Sequence, residues 1–174
     1  MFLAAGLTLP IEVVRLGHDH AEWGQPARIR QNSRVFILDR GRDYEPDRVQ
    51  RLVSKYFELD YYRCSGHGKL SRAELKKRYG RADIFLKWAE EGAWSYPVME
   101  AMSAGCLVLT NCPYTSLNEY NSRAFRTIEE LDQLLQACRG QDHAAMKQLA
   151  QATAAQWTEE RSALDIRNAI ARHA

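Results

Sequence analysis

Residues 83–110, DIFLKWAEEGAWSYPVMEAMSAGCLVLT, constrain the fold of this chain more than any other stretch. Ile84-Phe85-Leu86 is a short apolar run without alternation, the pattern of a strand covered on both faces. From Trp88 to Ser95 the chain turns polar and small, with Glu90, Glu91 and Gly92. Ser95 is a suitable helix cap, and Pro97 falls in the first turn, where a missing N–H costs nothing. Gly105 ends that helix, and Cys106-Leu107-Val108-Leu109 is a second buried strand. The unit is β–loop–α–β, with Glu91 and Glu100 on either side of a helix N-terminus. Such an end carries unpaired N–H groups and partial positive charge, so it favours phosphate.

The flanking segments extend this alternation. IEVVRL at 11–16 reads as a strand, 17–20 as a polar turn and 21–32 as linker or loop. His18 and His20 have no third candidate ligand nearby, so a solvated loop accounts for them better than a metal. Val35-Phe36-Ile37-Leu38 is a buried strand running into Asp39-Arg40-Gly41-Arg42-Asp43, at the strand end where open α/β sheets bind ligands. Arg40 and Arg42 either grip phosphate or pair with Asp39, Asp43 or Glu45. A helix then starts with Asp43 as cap and Pro46 in its first turn. Val49, Leu52, Val53 and Tyr56 give it one apolar stripe. Tyr61-Tyr62-Arg63-Cys64 is a strand nearer a sheet edge, and Gly66-His67-Gly68 is a turn or a weak phosphate loop.

Ser71 and Glu74 form a capping box for a helix to Tyr79, whose Lys76, Lys77 and Arg78 make a solvated basic face. After a turn-rich segment, Phe125 marks a short edge strand. Thr127 and Glu130 form a second capping box, for a helix with Leu131, Leu134, Leu135 and Cys138 inward and Gly140 at its end. Two helices follow at 142–155 and 158–172, with Met146, Leu149, Leu164 and Ile170 as apolar contacts. Strands alternating with helices predict a Rossmann-like α/β fold, a mostly parallel sheet with helices on both faces.

At 174 residues this is one domain: a linker-like start at 1–32, an α/β core at 33–138 and C-terminal helices at 139–174. A net charge of +2, with 24 Lys and Arg spread along the chain, argues against a nucleic-acid partner. No stretch has the length of a transmembrane segment or the form of a signal peptide. Cys64, Cys106, Cys112 and Cys138 lack zinc-type spacing and read as reduced, structural thiols of a cytoplasmic protein.

Residues 91–110, EGAWSYPVMEAMSAGCLVLT, resemble the signature of retaining GT-B glycosyltransferases of the glycogen-synthase-like, "glycosyltransferases group 1" kind, roughly E-G-F-G-x-P-x-x-E-A-M-A-x-G-x-P-V-V. GKLSRAEL at 68–75 is similar to that family's G-x-V-S-x-x-E-L. Tyr79 with ADIFL at 82–86 is similar to Y-x-x-A-D-V-F-V, and LPIEVVRLGHD at 9–19 to its interdomain I-x-V-I-P-L-G-V-D. The resemblance implies a nucleotide diphosphate sugar as donor and the C-terminal, donor-binding half of a GT-B enzyme. It implies ribose hydroxyls on Glu100, sugar hydroxyls on catalytic Glu91 (or Glu90), and diphosphate on the backbone of Gly92, Ala93 and Trp94. Arg40 and Arg42 would meet phosphate, and the Gly68-Lys69-Leu70 loop the base. It further implies no cofactor and no metal.

Eight residues separate Glu91 from Glu100, one more than the family has, and Ala93-Trp94 stand for Phe-Gly. The family's phosphate pair, Arg then Lys five residues on, is not reproduced: Glu45 follows Arg40 at that distance and Asp47 follows Arg42. The resemblance extends to the donor-binding half alone, so the partner it implies is an acceptor-domain protein or a second copy. The alternatives are a non-catalytic nucleotide-sugar-binding or interaction module derived from the same domain, and an unrelated doubly wound protein.

Overall fold

A computed structural model describes residues 19–24, 34–39, 45–64, 70–88, 95–112 and 117–173. Among the described residues, twelve elements occur in the order α1 (His20–Trp23), β1 (Arg34–Asp39), α2 (Pro46–Ser54), β2 (Glu58–Arg63), α3 (Arg72–Tyr79), β3 (Ile84–Lys87), α4 (Tyr96–Ser103), β4 (Leu107–Thr110), β5 (Ser122–Ala124), α5 (Ile128–Cys138), α6 (Ala144–Ala155) and α7 (Glu159–His173). The five strands form one parallel sheet in the order β2-β1-β3-β4-β5. This is the predicted Rossmann-like architecture.

Its inner strands have no polar face. Val35, Ile37, Ile84, Leu86, Leu107 and Leu109 point to one side, where Val49, Leu52 and Val53 of α2 and Leu131 and Leu135 of α5 cover them. Phe36, Leu38, Phe85 and Val108 point to the other, beneath Tyr79, Val98, Met99 and Met102. Both sets are removed from water, which is why the sequence there shows continuous apolar runs. Tyr79 is an edge-on hub, its ring 5.3 Å from Phe36, 5.4 Å from Phe85 and 5.8 Å from Trp23.

The local signals fare unevenly. Both halves of the Ser71–Glu74 capping box form. In the second box only one does. Thr127 accepts from the Glu130 N–H, while the Glu130 carboxylate turns to the Arg126 N–H at 2.6 Å, one residue before the cap. α2 starts at Pro46 with Glu45 at its cap position and no side-chain capping bond; Asp43 lies outside the described residues. Gly105 and Gly140 follow α4 and α5 with φ of +80° and +71°, as predicted for helix-ending glycines. Phe125 sits just past β5 rather than on it, buried, with its N–H on the Thr110 carbonyl.

Several expectations need correction. Part of the 21–32 linker is helical: Asp19 caps α1 through the Glu22 N–H, and Trp23 drops into the core. His20 is a structural residue, its Nδ1 2.9 Å from Ser103 Oγ on α4, and burial lowers its pKa against the pull of Asp19. Arg78 is not merely solvated; it pairs with Asp60 on β2 and lies over the Phe36 and Tyr62 rings. Leu149, Leu164 and Ile170 are exposed. α6 turns Lys147, Ala150 and Ala154 inward and α7 turns Ser162 and Ala169, so helical spacing leaves those three off the buried faces. All four cysteines are free thiols, and burial pushes the Cys106 thiol up to about 12.

The amino edge of the sheet is held by a buried charge pair. Asp83 Oδ2 accepts from the Arg34 N–H at 3.2 Å, and Asp83 Oδ1 lies 4.0 Å from Lys147 Nζ on α6, both side chains almost fully buried. This Asp therefore joins the starts of β1 and β3 to the C-terminal helices. Replacing Leu107 by Ala should cost about 2–5 kcal/mol in urea unfolding; near-wild-type stability would contradict its central-strand position. Asp83→Ala should cost about 3–5 kcal/mol by stripping a buried ammonium of this carboxylate, and Asp83→Asn combined with Lys147→Met should recover most of that loss. A double variant no better than Asp83→Ala would show that the pair is not what matters.

Candidate functional site

Because β1 leads to β2 on one side and β3 lies on the other, the chain reverses its winding between β1 and β3. In such sheets the crevice at the carboxyl ends of the two strands is where ligands bind. Here those ends are Asp39 on β1 and Lys87 on β3, with Thr110 on β4 beside them.

Asp39 is buried, and its carboxylate takes the Tyr61 hydroxyl and lies 3.7 Å from Arg63 Nε; its carbonyl accepts from the Cys64 N–H at 2.8 Å. Glu45 lies 3.7 Å from Arg48. Asp39 thus fastens edge strand β2 to β1 at the mouth of the crevice. Thr110 Oγ1 closes the turn after β4, accepting from the Cys112 N–H at 3.1 Å. β3 runs one residue further than the apolar run Ile84–Leu86 indicates, and its last member, Lys87, is buried. Lys87 is the residue of this strand edge that the sequence pattern leaves out of β3. A charged residue directly continuing an apolar strand was the available signal.

α4 starts above this edge. Its sheet-facing side packs in the Phe85 cluster, and His20 and Gln151 hold its last turn, the latter by Nε2 on the Ser103 carbonyl at 3.1 Å. Ser95 occupies the cap position with extended backbone but makes no side-chain capping bond. Pro97 has no N–H, and the Val98 and Met99 N–H groups both return to the Ser95 carbonyl at 3.1 Å. The predicted row of unpaired amides is therefore mostly used inside the helix. What α4 directs at the crevice is chiefly its dipole.

From Pro97 to Ser103, every residue of α4 is buried except Glu100, which is half-buried. Tyr96, four residues earlier, is 45% exposed, so the two form the open stripe of a helix otherwise packed all round. Leu70, next to the Ser71 cap, packs against the Phe85-side core with Tyr62, Cys64 and Leu75. Of the predicted site, Glu100 and Leu70 are thus placed; Arg40, Arg42, Gly68, Lys69, Glu90, Glu91, Gly92, Ala93 and Trp94 lie outside the described residues. Among the described residues no three His, Cys, Asp or Glu side chains gather as a metal-binding set. No described helix is long and apolar enough to cross a membrane.

Residues 28–167 match the model of a family described as "Glycosyl transferase-like". No curated protein matches the sequence. Among solved structures, the chain is similar to the GtfA/B complex, with a TM-score of 0.66 and 13% identity over 84% of this chain and 37% of that one. It is also similar to the pneumococcal O-GlcNAc transferase GtfA in complex with UDP and GlcNAc, with a TM-score of 0.56 and 12% identity over 95% of this chain and 39% of that one. A third likeness is the C-terminal domain of a glycosyl transferase group 1 family protein, LpcC, from Francisella tularensis. There the TM-score is 0.51 and identity 13%, over 83% of this chain and 95% of that one. At such identities the likeness shows a shared fold, and the chain spans less than two-fifths of the first two structures.

Proposed function

The chain belongs to the glycosyl transferase-like family, and we propose that it is the nucleotide-sugar-binding, C-terminal half of a retaining GT-B glycosyltransferase, moving a sugar from a nucleotide diphosphate donor once paired with an acceptor-binding domain. The observation that carries this reading is the placement of Glu100. A carboxylate at the one half-buried position of α4, just beyond the first turn above the β1/β3 crevice, accepts both hydroxyls of a ribose while most of its own helix is dry. Family membership over 28–167 and the likeness to an isolated C-terminal domain support the same reading. So does the pneumococcal GtfA, a protein of similar fold that was crystallised with UDP and GlcNAc.

In this reading Glu91 contacts the sugar near the reacting carbon and the backbone of Gly92, Ala93 and Trp94 lies along the diphosphate. Arg40 and Arg42 approach its phosphates, and Gly68, Lys69 and Leu70 border the base. Charge develops on the departing diphosphate, where donors fixed in advance stabilise the transition state most. The altered spacing between Glu91 and Glu100 favours a second reading, a nucleotide-sugar-binding module without turnover. Donor hydrolysis or a sugar product that disappears in Glu100→Ala would exclude it.

Titration of the chain with uridine, guanosine and adenosine diphosphates and their sugar conjugates tests the donor site. At a hundredfold excess over Kd the right ligand adds about 2.7 kcal/mol, which raises the melting temperature by roughly 5–10 °C for a domain of this size. No shift with any of them would sink the reading. Glu100→Ala should fold normally, because its side chain is not part of the core, and lose nucleotide affinity by about tenfold or more. Unchanged affinity would remove the ribose role.

A further inference from the structure

We propose that Lys87, the last residue of β3, is the cation that holds the diphosphate of the donor. This rests on the donor-site reading above and adds to it a residue from a different strand than the Arg40–Arg42 loop. Two lysines of the described residues are buried, and they sit at opposite ends of β3. Lys147 lies at the amino edge against Asp83, where it ties α6 to the sheet. Lys87 is at the carboxyl edge, 6% exposed, where the winding reverses and a ligand enters.

The direction of its side chain follows from the strand. Leu86 and Trp88 both belong to the α2/α5 side, the Trp88 ring lying 5.2 Å from Phe125. Phe85 belongs to the α4 side, and successive residues alternate, so Lys87 projects toward α4. Its register partner, Thr110, follows Val108 to the same side. Asp39, at the end of the neighbouring strand, shares the parity of Val35 and Ile37 and turns the opposite way, to Tyr61 and Arg63. Lys87 therefore lies on the Glu100 side of the sheet, beneath the start of α4.

Charge balance gives the placement its meaning. A diphosphate carries charge that a helix dipole and a few amides do not neutralise, and the first turn of α4 contains Pro97 and two N–H groups already committed to Ser95. The sequence offers no Lys five residues after Arg40 or Arg42. An ammonium fixed on a strand end fills this role without the entropy cost of ordering a loop, and its burial strengthens each contact with an anion. Glu100 and Lys87 would then divide the ligand, ribose to the acid and diphosphate to the base.

The test is calorimetric titration of the full chain and of Lys87→Met and Lys87→Arg with three probes. They are the tightest-binding nucleoside diphosphate among uridine, guanosine and adenosine, the matching nucleoside, and inorganic pyrophosphate. Lys87→Met should weaken nucleoside diphosphate and pyrophosphate by about ten- to a hundredfold, the range of one charge-assisted hydrogen bond, and leave the nucleoside unchanged. Lys87→Arg should keep most of the affinity and shows that loss of the charge, not of the fold, is read. Wild-type affinity for nucleoside diphosphate and pyrophosphate in Lys87→Met overturns the proposal while the donor site stands. An equal loss for nucleoside and diphosphate overturns it too, because it marks a structural role. A wild-type chain that binds none of the probes overturns the donor site and this inference together.

Discussion

The structure depends on β3 being buried from both sides. Ile84 and Leu86 face α2 and α5, Phe85 faces Tyr79 and α4, and neither set reaches water. A four-residue strand makes few ladder bonds, so its stability comes from this two-sided packing more than from pairing. The consequence is directional. With Asp83 tied to Arg34 and Lys147 at one end, the strand cannot slip by a residue without moving every apolar side chain to the wrong face. Register at the amino edge thereby sets which residue stands at the carboxyl edge, and that residue is Lys87.

The two edges of the sheet use charge differently. At the amino edge, Asp83 and Lys147 are paired inside the packing and join elements distant in sequence. Such a pair contributes little net stability over apolar residues of the same volume, but it is costly to break singly. It serves as a positioning device for α6, whose Gln151 in turn holds the carbonyl of Ser103 at the end of α4. At the carboxyl edge, Asp39 plays the corresponding part for β2, through Tyr61 and Arg63. The open edge strand is thus fastened to β1 beside the crevice, on the face away from α4. A rigid frame around a crevice supplies preorganisation, the condition under which fixed charges act on a developing charge.

Much of this fold was legible in the sequence. Unalternating apolar runs identified β1, β3 and β4 because their burial on two faces removes the polar face that alternation would show. Ser71 with Glu74 and the two helix-ending glycines marked boundaries through backbone chemistry that needs no tertiary partner. What stayed hidden depends on contacts between distant segments. α1 is four residues long and exists because Trp23 finds Tyr79 and His20 finds Ser103. Arg78 looked solvated until β2 supplied Asp60. Leu164 and Ile170 looked inward because hydrophobicity alone does not say which side of a helix meets a neighbour. Lys87 was hidden for a related reason, since an apolar pattern ends at a charge even where the strand does not.

In the proposed donor site, Glu100 shows how burial would tune a recognition group. On an exposed helix a carboxylate would be hydrated and screened, and its hydrogen bonds to a ligand would replace equally good ones to water. Fully buried, it would be costly to keep ionised without a permanent partner. α4 avoids both limits. Its sheet-facing side, His20 at its last turn and Gln151 of α6 hold the helix in place, while the Tyr96–Glu100 stripe stays open. Glu100 stands just beyond the first turn, on the side of the sheet to which the proposed Lys87 ammonium projects. A carboxylate and an ammonium set apart on a helix and a strand, with the sheet fixing both, suit a ligand that presents hydroxyls at one end and phosphates at the other.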